Sequence, residues 1–336
     1  MRSSTSNSDA GRNQWLQAWL LAAGLAIMII ATWEGALRYA GFSPAYADNR
    51  GLWLSARHQL SRPDPSVIAV LGASRVQRAV DVDVLSERLQ RPVVQLAVEG
   101  SSGLPVLENL AADPRFRGSV VISIAPAFSF NRRLSKLDAG NQAAWVRDYL
   151  QQSQSRRMEQ ELRLAVQGLF SFRSADAAVS RMIPALLDSG KFPGPDYKTT
   201  QRSRFVSIDQ SRFAEEVSQD SIVEMYRENT QAYEQQGFTE LLRYFSMLVE
   251  VLRAKGSRVY ILRLPSEGAV LDFERQHFPK DRFWDQMQRY LNAQFIHFED
   301  YPELEGFLSA DGSHIAAEKA GEFTERLALV LRANGM

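Results

Sequence analysis

The 336-residue chain contains no cysteine. That absence removes thiol nucleophiles, disulfide frameworks and thiolate metal sites together. It leaves the compartment open, because exported proteins also fold without disulfides. A surplus of one charge is lacking as well: 39 Lys and Arg balance 39 Asp and Glu. No basic excess therefore argues for nucleic acid as a partner. Basic residues adjoin only in the pairs Arg132-Arg133 and Arg156-Arg157, which read as solvated helix faces. Histidine is scarce, with four in the chain. They form no His-x-x-x-His or comparable cluster, so no metal site is expected. The turn after the first strand-like run lacks both Gly-x-Gly-x-x-Gly and Gly-x-x-x-x-Gly-Lys, so no dinucleotide, nucleotide or other cofactor is expected.

What is present begins at the N-terminus. From Trp15 to Trp33 the chain reads WLQAWLLAAGLAIMIIATW, 19 residues without a charge. At ~1.5 Å rise per residue this run spans roughly 28 Å, about one hydrocarbon core. Trp15, Trp19 and Trp33 stand near its two ends, as an interfacial aromatic belt does. A cleaved signal peptide is the rival reading, since Ala45-Tyr46-Ala47 resembles a cleavage site. The run is longer than a signal-peptide core, however, and that tripeptide lies well beyond it. We therefore expect a tail over 1–14, a membrane anchor over 15–36 and a linker over 37–65 leading into the main domain. Arg2 and Arg12 precede the run while Arg38 and Arg50 follow it, so Lys/Arg counts are nearly balanced. The short tail tilts the expectation toward an inside N-terminus with the bulk of the chain exported.

Five short runs read as buried parallel strands: 66–72, 92–100, 119–126, 257–265 and 294–300. Each is rich in Val, Ile or Phe, and all but the last end at Gly or Pro. Helical patterns separate them, carried by Val84, Leu85 and Leu89, by Leu104–Leu110, by Phe283–Leu291 and by Ile315–Leu331. Strand–helix alternation at this spacing predicts an α/β domain over 66–336, a parallel sheet with helices on both faces. Between the third and fourth strands lies a much longer insertion, 127–255, which reads as helical apart from an irregular stretch over 190–205. Its last helix carries Leu241, Leu242, Phe245, Leu248, Val249 and Leu252 on one stripe, with Thr239 as N-cap and Gly256 as stop.

Ser74 stands in Val70-Leu-Gly-Ala-Ser-Arg-Val76, on the turn from the first strand into a helix. Open α/β sheets bind ligands at such strand ends, and amides at the start of the helix can receive a developing oxyanion. A serine there is equally a favoured helix cap. A catalytic serine needs a base, usually histidine. His58 follows the anchor, His277 lies in a surface-loop pattern, and His297 falls inside the fifth strand as a structural histidine. His314 stands in Asp311-Gly-Ser-His-Ile315, between the last strand and the last helix. Asp311, three residues earlier, can reach the imidazole; alternatively Asp311 or Ser313 caps the last helix.

Gly72-x-Ser74 after strand one and Asp311-x-x-His314 before the last helix together resemble the SGNH/GDSL hydrolase superfamily. The resemblance implies a five-stranded parallel sheet of order 2-1-3-4-5 carrying a Ser–His–Asp triad. By it, Ser74 attacks an acyl carbon, His314 takes the proton and Asp311 orients the ring. Gly100, in QLAVEGSSG, matches the family's oxyanion-hole glycine, so the Ser74 and Gly100 amides would hold the tetrahedral oxygen. The family's Gly-Asp-Ser is Gly72-Ala73-Ser74 here. Its Asn donor after strand three is replaced by APAFSFN, where Asn131 is shifted. Losing one such donor lowers rates about 100–1000-fold, so an inactive member is the alternative. The likeness covers 66–130 and 256–333; the insertion matches no motif.

An N-terminal anchor joined to such a domain is similar to bacterial envelope proteins that O-acylate extracellular polysaccharides or wall polymers. This similarity implies acyl transfer, typically acetyl, to or from polysaccharide hydroxyls. It implies a glycan acceptor, a membrane-bound O-acyltransferase as partner, and a single-pass location in the inner membrane with the domain periplasmic or extracellular. The alternative is an envelope protein that binds the glycan or the acyltransferase without catalysis. Arg75, beside the nucleophile, could contact an anionic glycan or pair with a surface carboxylate. Glu267, after strand four, could face the crevice as a substrate contact.

Overall fold

In the computed structural model, residues 7–130, 141–209, 212, 217–230, 235–308 and 310–336 are described. The strands are β1 Ile68–Leu71, β2 Val93–Gln95, β3 Ser119–Ser123, β4 Lys198–Thr200, β5 Val206–Ile208, β6 Val259–Arg263 and β7 Gln294–His297. Five of them form one parallel sheet of order β2-β1-β3-β6-β7. Alternate side chains enter opposite faces, as strand geometry requires. Ala69, Leu71, Val120, Ile122, Val259 and Ile261 pack into one core with helices Arg50–Gln59, Leu104–Ala112 and Gln235–Ala254. Ile68, Val70, Val121, Tyr260, Leu262 and Ile296 pack into the other with Val82–Leu89 and Ala320–Ala333. Both faces are thereby covered, which is why the strands read as continuous apolar runs.

With all seven strands numbered along the chain, the order reads 2-1-3-6-7 against the expected 2-1-3-4-5, because the insertion supplies two further strands. β4 lies within the stretch 190–205 expected as irregular and β5 just beyond it; the two pair antiparallel with each other and outside the main sheet. Their turn is held by Arg204, in the left-handed region at φ +69. Its fully buried guanidinium donates to Asp48 Oδ1 and to the Gln95 carbonyl. The strands are also shorter than the sequence runs. β2 stops at Gln95, and the chain turns through Gly100 and Gly103, both with positive φ. β3 stops before Pro126, which opens a short helix because it lacks an N–H. Elsewhere in the insertion lie helices Asn141–Gln151, Gln154–Gln167, Val179–Ser189, Gln219–Thr230 and Gln235–Ala254. The last of these starts before Thr239, so Thr239 lies within it; Gly256, at φ +86, follows its end.

Two compact units divide the chain: residues up to Tyr46 with Arg163–Asp196, and Ala47–Leu162 with Tyr197–Met336. The first contains helix Asn7–Tyr39, whose segment Gln14–Tyr39 has mean hydropathy 1.9. That segment is long and apolar enough to cross a membrane. Residues 37–46, expected as linker, fold with the segment beginning at Arg163 instead. Leu37 and Phe42 pack with Ala177 and Met182, and Glu34 accepts the amides of Ser171 and Phe172 at 2.9 and 3.1 Å. Residues 50–59, also within the expected linker, form a helix whose Leu52, Trp53 and Leu54 are core residues of the second unit.

Candidate active site

β1 ends at Leu71, and Gly72 turns the chain at φ +138. A Cβ there would stand 2.9 Å from the Ser123 carbonyl oxygen, so the turn requires glycine. Helix Ser74–Ala79 follows, with Ala73 at the cap position and no side-chain cap. Ser74 is therefore the first helical residue, and its hydroxyl is turned away from capping. Its Oγ lies 3.0 Å from His314 Nε2. The other ring nitrogen, Nδ1, lies 2.7 Å from Asp311 Oδ2. That carboxylate draws the ring proton to Nδ1, so Nε2 is the acceptor facing the Ser74 hydroxyl.

Asp311 does not cap the last helix, which begins nine residues later. Its Oδ1 instead accepts the amides of Ser313 and His314, each at 2.9 Å, closing a tight turn around the imidazole. Gly312 lies within this turn at φ +64, where a Cβ would meet the Glu267 carbonyl at 2.7 Å. Ser74, Asp311 and His314 are 8%, 2% and 6% exposed, so their interactions are little screened. Burial would raise the Asp311 carboxyl. The hydrogen bond and charge of His314, with the two amides, outweigh it and hold Asp311 well below the usual carboxylate range. Burial, followed by the positive charge of Arg78, pushes His314 down to about 4 against the pull of Asp311. The imidazole is thus neutral at neutral pH, the state a general base needs.

The loop bearing Gly100 is fastened to the same turn. Val98 N donates to the Gly72 carbonyl at 3.0 Å, and Ser101 Oγ donates to it at 3.2 Å. Gly100 is exposed at the tip of this loop. Beside it, Glu99 pairs with Arg78 at 2.5 Å and with Lys198 of β4 at 2.6 Å. Arg78 follows Ser74 by one helical turn, a spacing visible in the sequence. Lys198 reaches the site only because the hairpin packs there. Asn131 lies outside the described residues.

Arg75 is neither a surface residue nor open to a glycan; it is 2% exposed. Its Nε donates to Ser313 Oγ at 2.9 Å and its Nη2 to the Tyr226 hydroxyl at 2.8 Å. Nη2 also stands 2.8 Å from Glu274 Oε1. Lying one residue past Ser74, it is rotated about 100° around the helix and so enters the interior. Glu274 in turn pairs with Arg263 and accepts Ser266 Oγ at 2.6 Å. Burial would raise the Glu274 carboxyl, but Arg263 and Arg75 hold it low. Glu267 is exposed, as a substrate contact requires, and its amide donates to the Gly312 carbonyl at 3.0 Å. Its backbone thus adjoins the Asp311–His314 turn.

Helix Gln219–Thr230 of the insertion grips that turn at two points. The Tyr226 hydroxyl lies 3.2 Å from Ser313 Oγ. Gln219 Nε2 donates to the Ala310 carbonyl at 3.2 Å, while its Oε1 accepts the Ala269 amide at 2.9 Å. No sequence signal links residues so far apart in the chain. Of the other histidines, His297 is buried against Phe298 and Trp284. His58 lies in helix Arg50–Gln59, bonded to Gln152. His277, expected in a surface loop, ends helix Gly268–His277 and bonds the Phe273 carbonyl. Among the described residues, no three His, Asp or Glu side chains cluster as metal ligands. Compared with known proteins, the chain matches no family model and no curated protein sequence.

Proposed function

We propose that this chain is a membrane-anchored serine acyl-transfer enzyme, a divergent relative of the SGNH/GDSL hydrolases, acting on hydroxyls of an envelope polysaccharide. The observation that carries this reading is the hydrogen-bonded chain Ser74–His314–Asp311, with a neutral histidine between a hydroxyl and a buried carboxylate. As Ser74 Oγ attacks an ester carbonyl, its proton passes to His314 Nε2, and Asp311 stabilises the imidazolium. The Ser74 amide, in the first helical turn without an intrahelical partner, and the Gly100 amide receive the tetrahedral oxygen. Collapse expels the leaving alcohol, which takes the proton from His314. A glycan hydroxyl then attacks acyl-Ser74 and yields its proton to His314; the Ser74 Oγ–acyl bond breaks, His314 returns that proton to Ser74 Oγ, and the glycan leaves as the ester. Water in its place gives hydrolysis.

The polysaccharide acceptor, a membrane-bound O-acyltransferase as donor partner, and a periplasmic or extracellular domain tethered to the inner membrane follow from the likeness to envelope acylation proteins. The apolar helix Gln14–Tyr39 supports the tether. Purified chain with an activated acetyl ester should show a burst of released alcohol and an acetyl mass gain on the Ser74 peptide. Ser74→Ala should abolish both, and His314→Ala should slow acylation at least ~1000-fold. Added glycan should divert the acetyl group from water. Wild type no better than Ser74→Ala, with its acyltransferase partner present, would replace catalysis by a binding role.

A further inference from the structure

We propose that helix Val179–Ser189, together with Leu169, Phe170 and Phe192, forms a second membrane contact that lies in the bilayer interface beside the anchor. The helix carries Val179, Ile183 and Leu187 four residues apart, on one stripe. These side chains are 58%, 52% and 79% exposed. Met182 points elsewhere, into the small core shared with Leu37, Phe42 and Ala177. The helix thus has one apolar face against the end of the anchor and a second that no described residue of its own unit covers.

The anchor sets the depth of that face. The uncharged run ends at Trp33, and Glu34 is the first charge after it. Glu34 accepts the Ser171 and Phe172 amides, and Arg38 Nη2 donates to the Leu169 carbonyl at 3.1 Å. Segment 169–172 is therefore pinned where the hydrocarbon run stops, and its Leu169 and Phe170 are exposed at that level. An 11-residue helix is roughly 16 Å long, too short to span but suited to lie in the interfacial plane. Residues 163–196 hold four basic side chains (Arg163, Arg173, Arg181, Lys191) and three acidic ones (Asp176, Asp188, Asp196). That near balance makes apolar insertion the driving term, so zwitterionic lipid suffices. The inference rests on the anchor spanning a bilayer and is independent of acyl transfer.

Because the native chain has no cysteine, single cysteines can carry an environment-sensitive fluorophore without background. Full-length Ile183→Cys and Leu187→Cys would be labelled and reconstituted in phosphatidylcholine vesicles. Asp188→Cys, on the opposite face, and Ile27→Cys, within the anchor, serve as references. Labels at 183 and 187 should be quenched at least about threefold more than at 188 by lipids spin-labelled near the headgroup. The label at 27 should respond to lipids labelled deeper in the chain. Replacing some phosphatidylcholine by anionic lipid should change little. A deep label at 27 with 183 and 187 as water-accessible as 188 would overturn the inference and leave the anchor standing. An aqueous label at 27 would overturn both. Shielding of 183 and 187 only after a second protein is added would make this face a protein interface instead.

Discussion

The hydroxyl of Tyr226 lies 3.2 Å from Ser313 Oγ, one residue before His314. A residue of the long insertion thereby touches the turn that carries the candidate base. Arg75 donates to both oxygens, so the contact joins the Ser74 helix, the insertion and the Asp311–His314 turn.

On the proposed acyl-transfer reading, Tyr226 is a positioning residue. Tyr226→Phe keeps the ring, which packs edge-on against Phe128, and deletes only the hydroxyl. We expect kcat to fall about 3–10-fold with KM nearly unchanged, the equivalent of one hydrogen bond of roughly 0.5–1.5 kcal/mol. The acid limb of the pH–rate profile should also move, since the imidazole loses its fixed orientation. An unchanged profile alongside a lowered melting temperature would reduce Tyr226 to a packing role.

Acidification should both silence the site and weaken the fold. His314 is held near 4 and His297 near 2, in each case chiefly by burial. In the unfolded chain both titrate near 6.5. The unfolded state therefore binds protons that the folded state refuses, and stability present above about pH 6.5 is lost progressively as pH falls toward 4. If the proposed acyl transfer holds, turnover should persist to lower pH than an ordinary histidine allows, then fall as His314 charges. Urea midpoints measured from pH 7 to 4 should decline, and His297→Gln should flatten part of that decline. A midpoint that rises over this range would contradict the buried neutral assignment.

Arg75→Met should be severe. It leaves the buried Glu274 with Arg263 as its remaining cation among the described residues and withdraws the donor to Ser313 and Tyr226. Breaking a buried pair from one side costs about 3–5 kcal/mol. Arg227→Ala, which breaks the exposed Arg227–Glu224 pair, should change stability by less than about 1 kcal/mol. Thermal unfolding of the two variants in the same detergent provides the comparison.

Gly72→Ala should damage fold and chemistry together. The new methyl meets the Ser123 carbonyl at 2.9 Å and strains a backbone at φ +138. A loss of about 1–3 kcal/mol is expected from strain, with a larger relative loss of acylation because Ser74 rides on that turn. Burst amplitude measured below the melting transition separates the two effects. Full activity in Gly72→Ala would mean that the turn does not set the position of Ser74.

The sequence by itself determined the strand–helix alternation, the apolar N-terminal helix and the two turns that carry Ser74 and the Asp311–His314 pair. Those features are written in local patterns: aliphatic runs, glycine at sharp turns, an Asp three residues before a His. Tertiary structure alone decided whether the two turns meet, because residues 74 and 314 are joined by the order in which parallel strands stack. It also decided that Arg75 enters the interior, since one step of about 100° around a helix turns a side chain away from its neighbour's face. The contacts of Tyr226, Gln219 and Lys198 with the site, and the hairpin that begins in the stretch read as irregular, belong to the same class. They depend on long-range packing of polar groups, which leaves no periodic trace along the chain. The return of residues 163–196 onto the end of the apolar N-terminal helix is of this kind too: Glu34 reads as a simple end to an apolar run until it is seen accepting the amides of Ser171 and Phe172.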